Sequence, residues 1–180
     1  MTVAWVMLLA ACSPEFNWRQ APVAGGQFQA QLPAKPATMT RSIHLEDIAV
    51  EMTMVGARVG ETAFTVAIVP APVTDPMLQV PADDRYLRMM RGQMLRNIGA
   101  PPQTPGRPVD VALVDAQGSR VGVLSGLAVE AEGSGSHAGE RLQGLFVRGR
   151  DVALQAMIMG PPVAPEQSRH FFDSIRIVRR

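Results

Sequence analysis

The sequence predicts an α+β domain, an antiparallel β-sheet with one long helix and one C-terminal helix packed on it. Two observations support this prediction. Runs in which every second residue is apolar follow one another after short gaps, and such gaps favour antiparallel neighbours because a parallel crossover needs a dozen or more residues. Two segments with helical periodicity interrupt and close this series of runs, and helices segregated from antiparallel strands are typical of the α+β class.

Four predicted strands open the domain. They cover residues 27–32, 38–45, 48–54 and 64–68. In the first of them glutamines alternate with apolar residues, which indicates one solvated face, and Pro33 and Pro36 end it. Residues 69–82 contain four prolines, so we expect a loop that carries the chain across the domain.

The long helix follows this loop. Asp83 or Asp84 is its expected N-cap, and Gly99 its end. Tyr86, Met90 and Met94 recur every four residues, as expected for the buried side of an amphipathic helix that covers the sheet.

The second half repeats the pattern of strands followed by a helix. The predicted strands cover residues 109–111, 121–132, 141–148 and 151–159, with a glycine-rich hairpin tip at 133–139 and a tight turn at 149–150. A final short helix spans residues 165–174, and Phe171, Phe172 and Ile175 are expected to face the core.

The first residues have the pattern of an export signal. Residues 3–11 form an uncharged apolar run of signal-peptide length, about half of what crosses a bilayer as a helix. The run ends in Leu9, Ala10, Ala11 and Cys12, which resembles the lipobox of bacterial lipoproteins. The resemblance implies cleavage between Ala11 and Cys12, and a lipid anchor with palmitate-like acyl chains on Cys12. Several acyl chains on one residue make a stable anchor.

The N-terminal pattern also predicts where translation starts and in which membrane the protein is anchored. Signal peptides begin with a basic residue, and since none precedes the apolar run, we expect the true translation start upstream. Ser13 follows the cysteine where lipoproteins retained in the inner membrane commonly carry Asp, so the resemblance favours the outer membrane, facing the periplasm. The predicted organisation is a truncated signal peptide (1–11), the lipidated cysteine and a tether (12–25), and one α+β domain (26–180). We expect the aromatic residues Phe16 and Trp18 of the tether to dock on the domain.

The two ends of the domain resemble a known fold. The strand 28–32 followed by a proline-containing turn, and the closing stretch Phe171, Phe172, Asp173, Ser174 and Ile175, resemble Mog1/PsbP-like domains. Residues 12–19 resemble an uncharacterised group of proteobacterial lipoproteins. The resemblance implies a fold, and members of that fold are mostly binding and assembly proteins. It implies no catalytic residue, and fold-level analogy is a weak warrant for function.

No residue pattern points to catalysis or to a metal centre. His44, His137 and His170 have no partner at metal-ligand spacing, and His44 is expected on an exposed edge. Ser125 lacks the nucleophile-elbow spacing, Asp83 and Asp84 are explained by a helix start, and Glu130 with Glu132 by a solvated strand face. The net charge of +1 gives no electrostatic reason to expect nucleic-acid binding. We therefore expect a protein that is not an enzyme and needs no cofactor.

For the exported domain, the sequence favours two functions ahead of an enzyme, and a metal site is considered beside them. Eleven methionines invite a copper(I) site, because thioethers suit that ion, but Met52, Met54, Met89, Met90 and Met94 fall on predicted core faces and core packing is favoured. The leading function is a non-catalytic interaction or assembly factor of the cell envelope, with an envelope protein as partner. The alternative is a carrier or binding domain for a lipid or small apolar ligand, enclosed between the sheet and its helix.

Overall fold

The computed structural model of the chain describes residues 15–72 and 84–179. The strands in this part of the chain are β1 (Arg19–Val23), β2 (Phe28–Leu32), β3 (Ala37–Leu45), β4 (Ile48–Val59), β5 (Thr62–Pro70), β6 (Arg107–Val114), β7 (Arg120–Glu132), β8 (Arg141–Arg148), β9 (Val152–Gly160) and β10 (Arg176–Val178). The helices are α1 (Arg85–Asn97) and α2 (Pro165–Asp173). The predicted α+β class, with one long and one C-terminal helix, is confirmed.

All ten described strands belong to one sheet in the order β1-β2-β10-β6-β7-β8-β9-β5-β4-β3. Neighbouring strands are antiparallel, except that β10 lies parallel to β6. The sheet curls into a half-barrel, so that β1 contacts β4 and β2 contacts β5 across its concave side. The sheet therefore has a closed inner face and an open outer face.

The inner face holds an aromatic core. Phe64 and Phe171, both fully buried, meet edge to face with ring centroids 5.5 Å apart. Trp18 packs on Phe64 in the same manner at 6.1 Å, and Phe16 stacks on Trp18. Helix α2 lies on this face and is tied to the sheet by the hydroxyl of Ser174, which accepts the backbone N–H of Gln31. The predicted docking of Phe16 and Trp18 is confirmed.

The outer face is covered by α1. The carboxylate of Asp84 accepts the N–H of Tyr86 at 2.8 Å, which identifies Asp84 as the N-cap. Leu87, Met90 and Leu95 are buried against the sheet. The helix ends at Asn97 with Ile98 as its C-cap, and the predicted stop Gly99 follows with a φ of 70°, in the left-handed region that favours glycine. Neither described helix combines the length and the apolar character needed to cross a bilayer.

The prediction that residues 12–25 form a tether is wrong for residues 19–23. Arg19–Val23 forms β1, paired with β2, and Ala21 and Val23 are buried in the inner core. Pro22 argued against a strand in the sequence, because proline lacks the N–H that an inner strand needs for pairing. Strand β1 lies at the edge of the sheet, where proline is tolerated. The folded domain thus begins before residue 26.

Two other boundaries differ from the sequence prediction. Strand β5 continues through Val69 to Pro70, which pairs with Val152, so the predicted loop at 69–82 begins later; residues 73–83 lie outside the described part. Strand β10 was not predicted, because three residues are too few to show a period of two. Its pairing places it inside the sheet, between β2 and β6.

Candidate functional site

A cleft of about 480 Å³ lies on the outer face, between α1 and the edge strand β3. We call it the methionine cleft. Strands β4, β5 and β9 form its floor, and one stripe of α1 forms a wall with Met90, Gln93, Met94 and Asn97. The remaining lining residues are Arg41, Ile43, His44, Leu45, Met52, Met54, Ala63, Thr65, Gln155, Met157 and Met159. Its volume falls in the range of about 300–1,000 Å³ that is typical of small-molecule sites.

Small residues on the floor leave this space open. Ala63 and Thr65 of β5 face the cleft beside Met159 and Met157, their partners on β9. Opposite Thr65, a Cβ on Gly56 would lie 2.7 Å from the Thr65 methyl group, so only glycine fits there. Long, flexible side chains thus surround a shallow floor.

Six methionines line the cleft among the described residues. Met52, Met90, Met94 and Met157 are buried in the outer core, so the predicted core position of the first three is confirmed. Met54 and Met159 are only partly buried and border the opening. Because methionine is unbranched and adapts to irregular shapes, these walls can rearrange around different apolar groups.

Gln155 is the polar exception on the floor. Its side chain is 2% exposed, and its Oε1 atom has no hydrogen-bond partner among the described residues. In β9 it lies between Ala153 and Met157, which point to the same face. A buried carbonyl without a donor costs free energy, so this atom requires an explanation.

Arg41 gives the rim beside β3 a positive charge. Arg41 and His44 are exposed and line the cleft, and neither forms an ion pair or side-chain hydrogen bond with the residues that the structure describes. No acidic side chain of residues 15–72 or 84–179 lines the cleft. The opposite rim, on α1, carries the neutral amides of Gln93 and Asn97, which bond to each other at 3.3 Å.

A buried arginine holds α1 in place as the wall of the cleft. Arg148, at the end of β8, is 3% exposed. Its guanidinium donates to the carbonyls of Gly149 and Val152 at 3.0 and 2.9 Å and to that of Pro72. It also lies 3.6 Å from the carboxylate of Asp84, the N-cap of α1. The start of α1 is therefore tied to the β8–β9 turn.

The residues proposed from the sequence do not converge on one site. Ala11 and Cys12 lie outside the described residues. His44 is exposed on the edge strand, as predicted, and it joins the cleft rim. His137 bonds to Glu140 at the hairpin tip, and His170 is exposed and stacks on Trp18.

The serine and the paired glutamates considered in the sequence analysis do not form a catalytic or metal site either. Ser125 is exposed on β7, opposite Asp110, and no histidine of the described chain bonds to it. Glu130 is exposed, and Glu132 is solvated beside Arg141 at 3.9 Å. Among the described residues, no three His, Cys, Asp or Glu side chains are grouped so that they could hold a metal ion.

Sequence reasoning missed Gln155 and the cleft itself. One signal was available: Gln155 interrupts the otherwise apolar run 152–159, in a strand that is buried on both faces. In comparisons with known proteins, no family model matches the chain, and no curated protein matches it significantly.

We predict that Gln155→Met stabilises the domain. The substitution removes the unpartnered carbonyl and fills its place with a flexible apolar side chain, so the free energy of unfolding should rise by about 1 kcal/mol. Urea unfolding followed by circular dichroism measures it. Gln143→Met is the matched control, because Gln143 accepts a hydrogen bond from Ser168 and its loss should destabilise. A loss of stability in Gln155→Met would contradict the assignment of Oε1 as unpaired.

Proposed function

We propose that this chain is a membrane-anchored, non-catalytic lipoprotein of the cell envelope whose domain binds an apolar ligand in the methionine cleft. The observation that carries the proposal is the cleft of about 480 Å³ with six methionines around it. Each methylene group that leaves water for such a site contributes about 0.8 kcal/mol. The carrier function therefore has more support than the interaction function favoured by the sequence.

We further propose that the fold is Mog1/PsbP-like. Support comes from β2, which ends at the Pro33 turn, and from α2, whose Phe171 packs on the inner face of the sheet. The proposal concerns the fold alone. It predicts that members of that fold share the strand order of this sheet, and a different order in their structures would contradict it.

The proposed anchor constrains where the domain sits. Phe16 already packs on the inner core, four residues after Cys12. Four residues span at most about 14 Å, so lipid on Cys12 would hold the domain close to the membrane surface. With Ser13 in the following position, we propose the periplasmic face of the outer membrane as the location. A lipid ligand would then have a short path between bilayer and cleft.

Replacement of the anchor residue tests this location. We expect Cys12→Ser to abolish incorporation of labelled palmitate and to remove the protein from the outer-membrane fraction. Ser13→Ala is the matched control and should leave both unchanged. Palmitate label on the Cys12→Ser chain would contradict lipidation at this residue.

A blocked cleft tests ligand binding. We expect Thr65→Phe to weaken the binding of N-phenyl-1-naphthylamine, an apolar fluorescent probe, by about tenfold or more, because the ring occupies the floor and displaces several methylene-sized contacts. The measurement is a fluorescence titration of the full Cys12→Ser chain.

Thr40→Phe is the control for this substitution. Thr40 lies on β3 on the other side of the sheet, where it is exposed beside Thr53. It adds the same ring outside the cleft and should leave probe binding unchanged. If the folded wild-type chain binds no probe, or if both variants weaken it equally, the proposed function is wrong.

An interaction or assembly factor is the second candidate. Strand β3 is nine residues long and exposed along most of its length, and within the described part of the chain no strand pairs with its outer edge. Such an edge can accept an extended segment of a partner protein as a further strand.

A photoreactive residue in place of Thr40 tests this second candidate in living cells. We expect one crosslinked partner from this position and none from Gln117, an exposed residue of the β6–β7 turn. Equal labelling from both positions, or none, would exclude β3 as a docking edge.

A further inference from the structure

We infer that the free edge of β3 binds an extended segment of a partner protein in which an acidic residue stands between two apolar residues, each two positions away from it. This inference rests on the second candidate of the proposed function, docking along β3, and it names the chemistry of the partner. Three observations carry it: the unprotected edge, the row of side chains on its outer face and the position of Arg41 in the strand.

The two edge strands of the sheet differ in how they are protected. Strand β1 has five residues and contains Pro22, and both a short length and a proline discourage a further strand from pairing with an edge. Strand β3 has nine residues and no proline, and it pairs with β4 along its whole length without a bulge. Its only side chain with a permanent charge is that of Arg41. Because native sheets commonly block such an edge, β3 has the properties of an acceptor strand.

Met39, Arg41 and Ile43 form a row on the outer face of β3. They pair with residues of β4 that belong to the outer core or pack against it. Met39 is 53% exposed, more than any other large apolar side chain in the described part of the chain, and Ile43 is half-buried beside the methionine cleft. A strand added beside β3 would cover Met39 and the exposed part of Ile43, so we expect apolar residues opposite these two.

The opposite face of β3 makes its polar contacts within the sheet. The hydroxyl of Thr40 bonds to that of Thr53 at 3.1 Å, and the hydroxyl of Ser42 donates to the carboxylate of Glu51. These hydroxyl groups have partners on β4 without an added strand. The choice of a partner protein therefore depends on the outer row.

Arg41 decides between a second copy of this chain and a different partner. It is the central residue of Ala37–Leu45, it is exposed, and the acids nearest to it in sequence, Glu46 and Asp47, pair with Arg85 at 3.9 and 3.4 Å. When two copies of β3 pair antiparallel along their full length, the two Arg41 side chains stand opposite each other, and like charges in that position are destabilising. An acidic residue of another protein opposite Arg41 forms a favourable cross-strand pair instead.

The row also defines the spacing of the partner's residues. Alternate residues of a strand point to the same face, so the residues that face Met39, Arg41 and Ile43 are two positions apart in the partner. The resulting pattern is apolar, any residue, acidic, any residue, apolar. This pattern is symmetrical, so it fits β3 whether the partner strand runs parallel or antiparallel to it.

An NMR titration of the full, isotope-labelled Cys12→Ser chain tests the pattern. The probe is the peptide T-V-T-E-T-V-T with blocked ends, which carries the pattern on residues that favour strands. We expect the amide signals of β3 to shift and those of β1 to stay unchanged. A peptide with lysine in place of the glutamate should bind about fivefold more weakly, because it places a like charge opposite Arg41.

Two methylated isomers of the glutamate peptide test whether the backbone pairs. One carries N-methyl groups on its two valines, and the other carries them on the two threonines beside the glutamate. Because alternate N–H groups of a strand face the same neighbour, one isomer keeps its hydrogen bonds to β3 and the other loses them. Their affinities should differ by about tenfold.

Protein variants assign the charge preference to Arg41. In Arg41→Glu the lysine peptide should bind more tightly than the glutamate peptide, and in Arg41→Gln the two affinities should become nearly equal. Arg19→Glu is the matched control, because it makes the same change of charge on the protected edge strand β1 and should leave the preference unchanged. Circular dichroism confirms that each variant is folded.

The outcomes separate this inference from the proposed functions. If the glutamate and lysine peptides shift the β3 signals equally, docking along β3 stands and the acidic partner is wrong. If no peptide shifts these signals, or if both methylated isomers bind equally, strand addition is wrong as well. Signals of β3 that shift on dilution of the peptide-free chain would overturn the inference in favour of a second copy. Binding of N-phenyl-1-naphthylamine to the same sample tests the methionine cleft independently of all these results.

Discussion

The structure depends on a sheet whose central strands are apolar on both faces. In β5, β8 and β9 most residues are buried, and they alternate between the two faces, so neither face can remain exposed to water. The inner face closes by the curl of the sheet itself, with α2 and the N-terminal aromatic residues filling the interior. The outer face has no such closure, and in the described part of the chain α1 is the helix that covers it.

The methionine cleft follows from this unequal coverage. Arg148 and Asp84 tie the start of α1 to the β8–β9 turn, so the helix lies over one part of the outer face. Towards β3, the face is covered by side chains alone. Branched residues would pack there in one arrangement, whereas methionines adapt to irregular shapes. The cleft is thus a property of helix placement and residue type together.

Much of the fold was predictable from local pattern, and most of the cleft was not. Alternation in residues 28–32 and 141–148 located β2 and β8, and Asp84 and Gly99 bounded α1, because these signals depend only on near neighbours. Strand β1 was not predicted because it contains Pro22, and β10 was not predicted because its three residues are too few to show a period of two. The cleft depends on which strands meet: Met54 and Gln155 share a row only through the pairing of β4, β5 and β9. Sequence spacing contains no information on that pairing.

Gln155 best separates a binding site from a loosely packed core. A core that is merely imperfect would carry apolar residues at every position of β9, since an unpaired carbonyl weakens the fold and adds nothing to its packing. Local rules that a sequence breaks without structural benefit tend to lie at functional sites. The same strand provides Met157 and Met159 to the apolar wall, so Gln155 is a polar side chain in an otherwise apolar part of the lining.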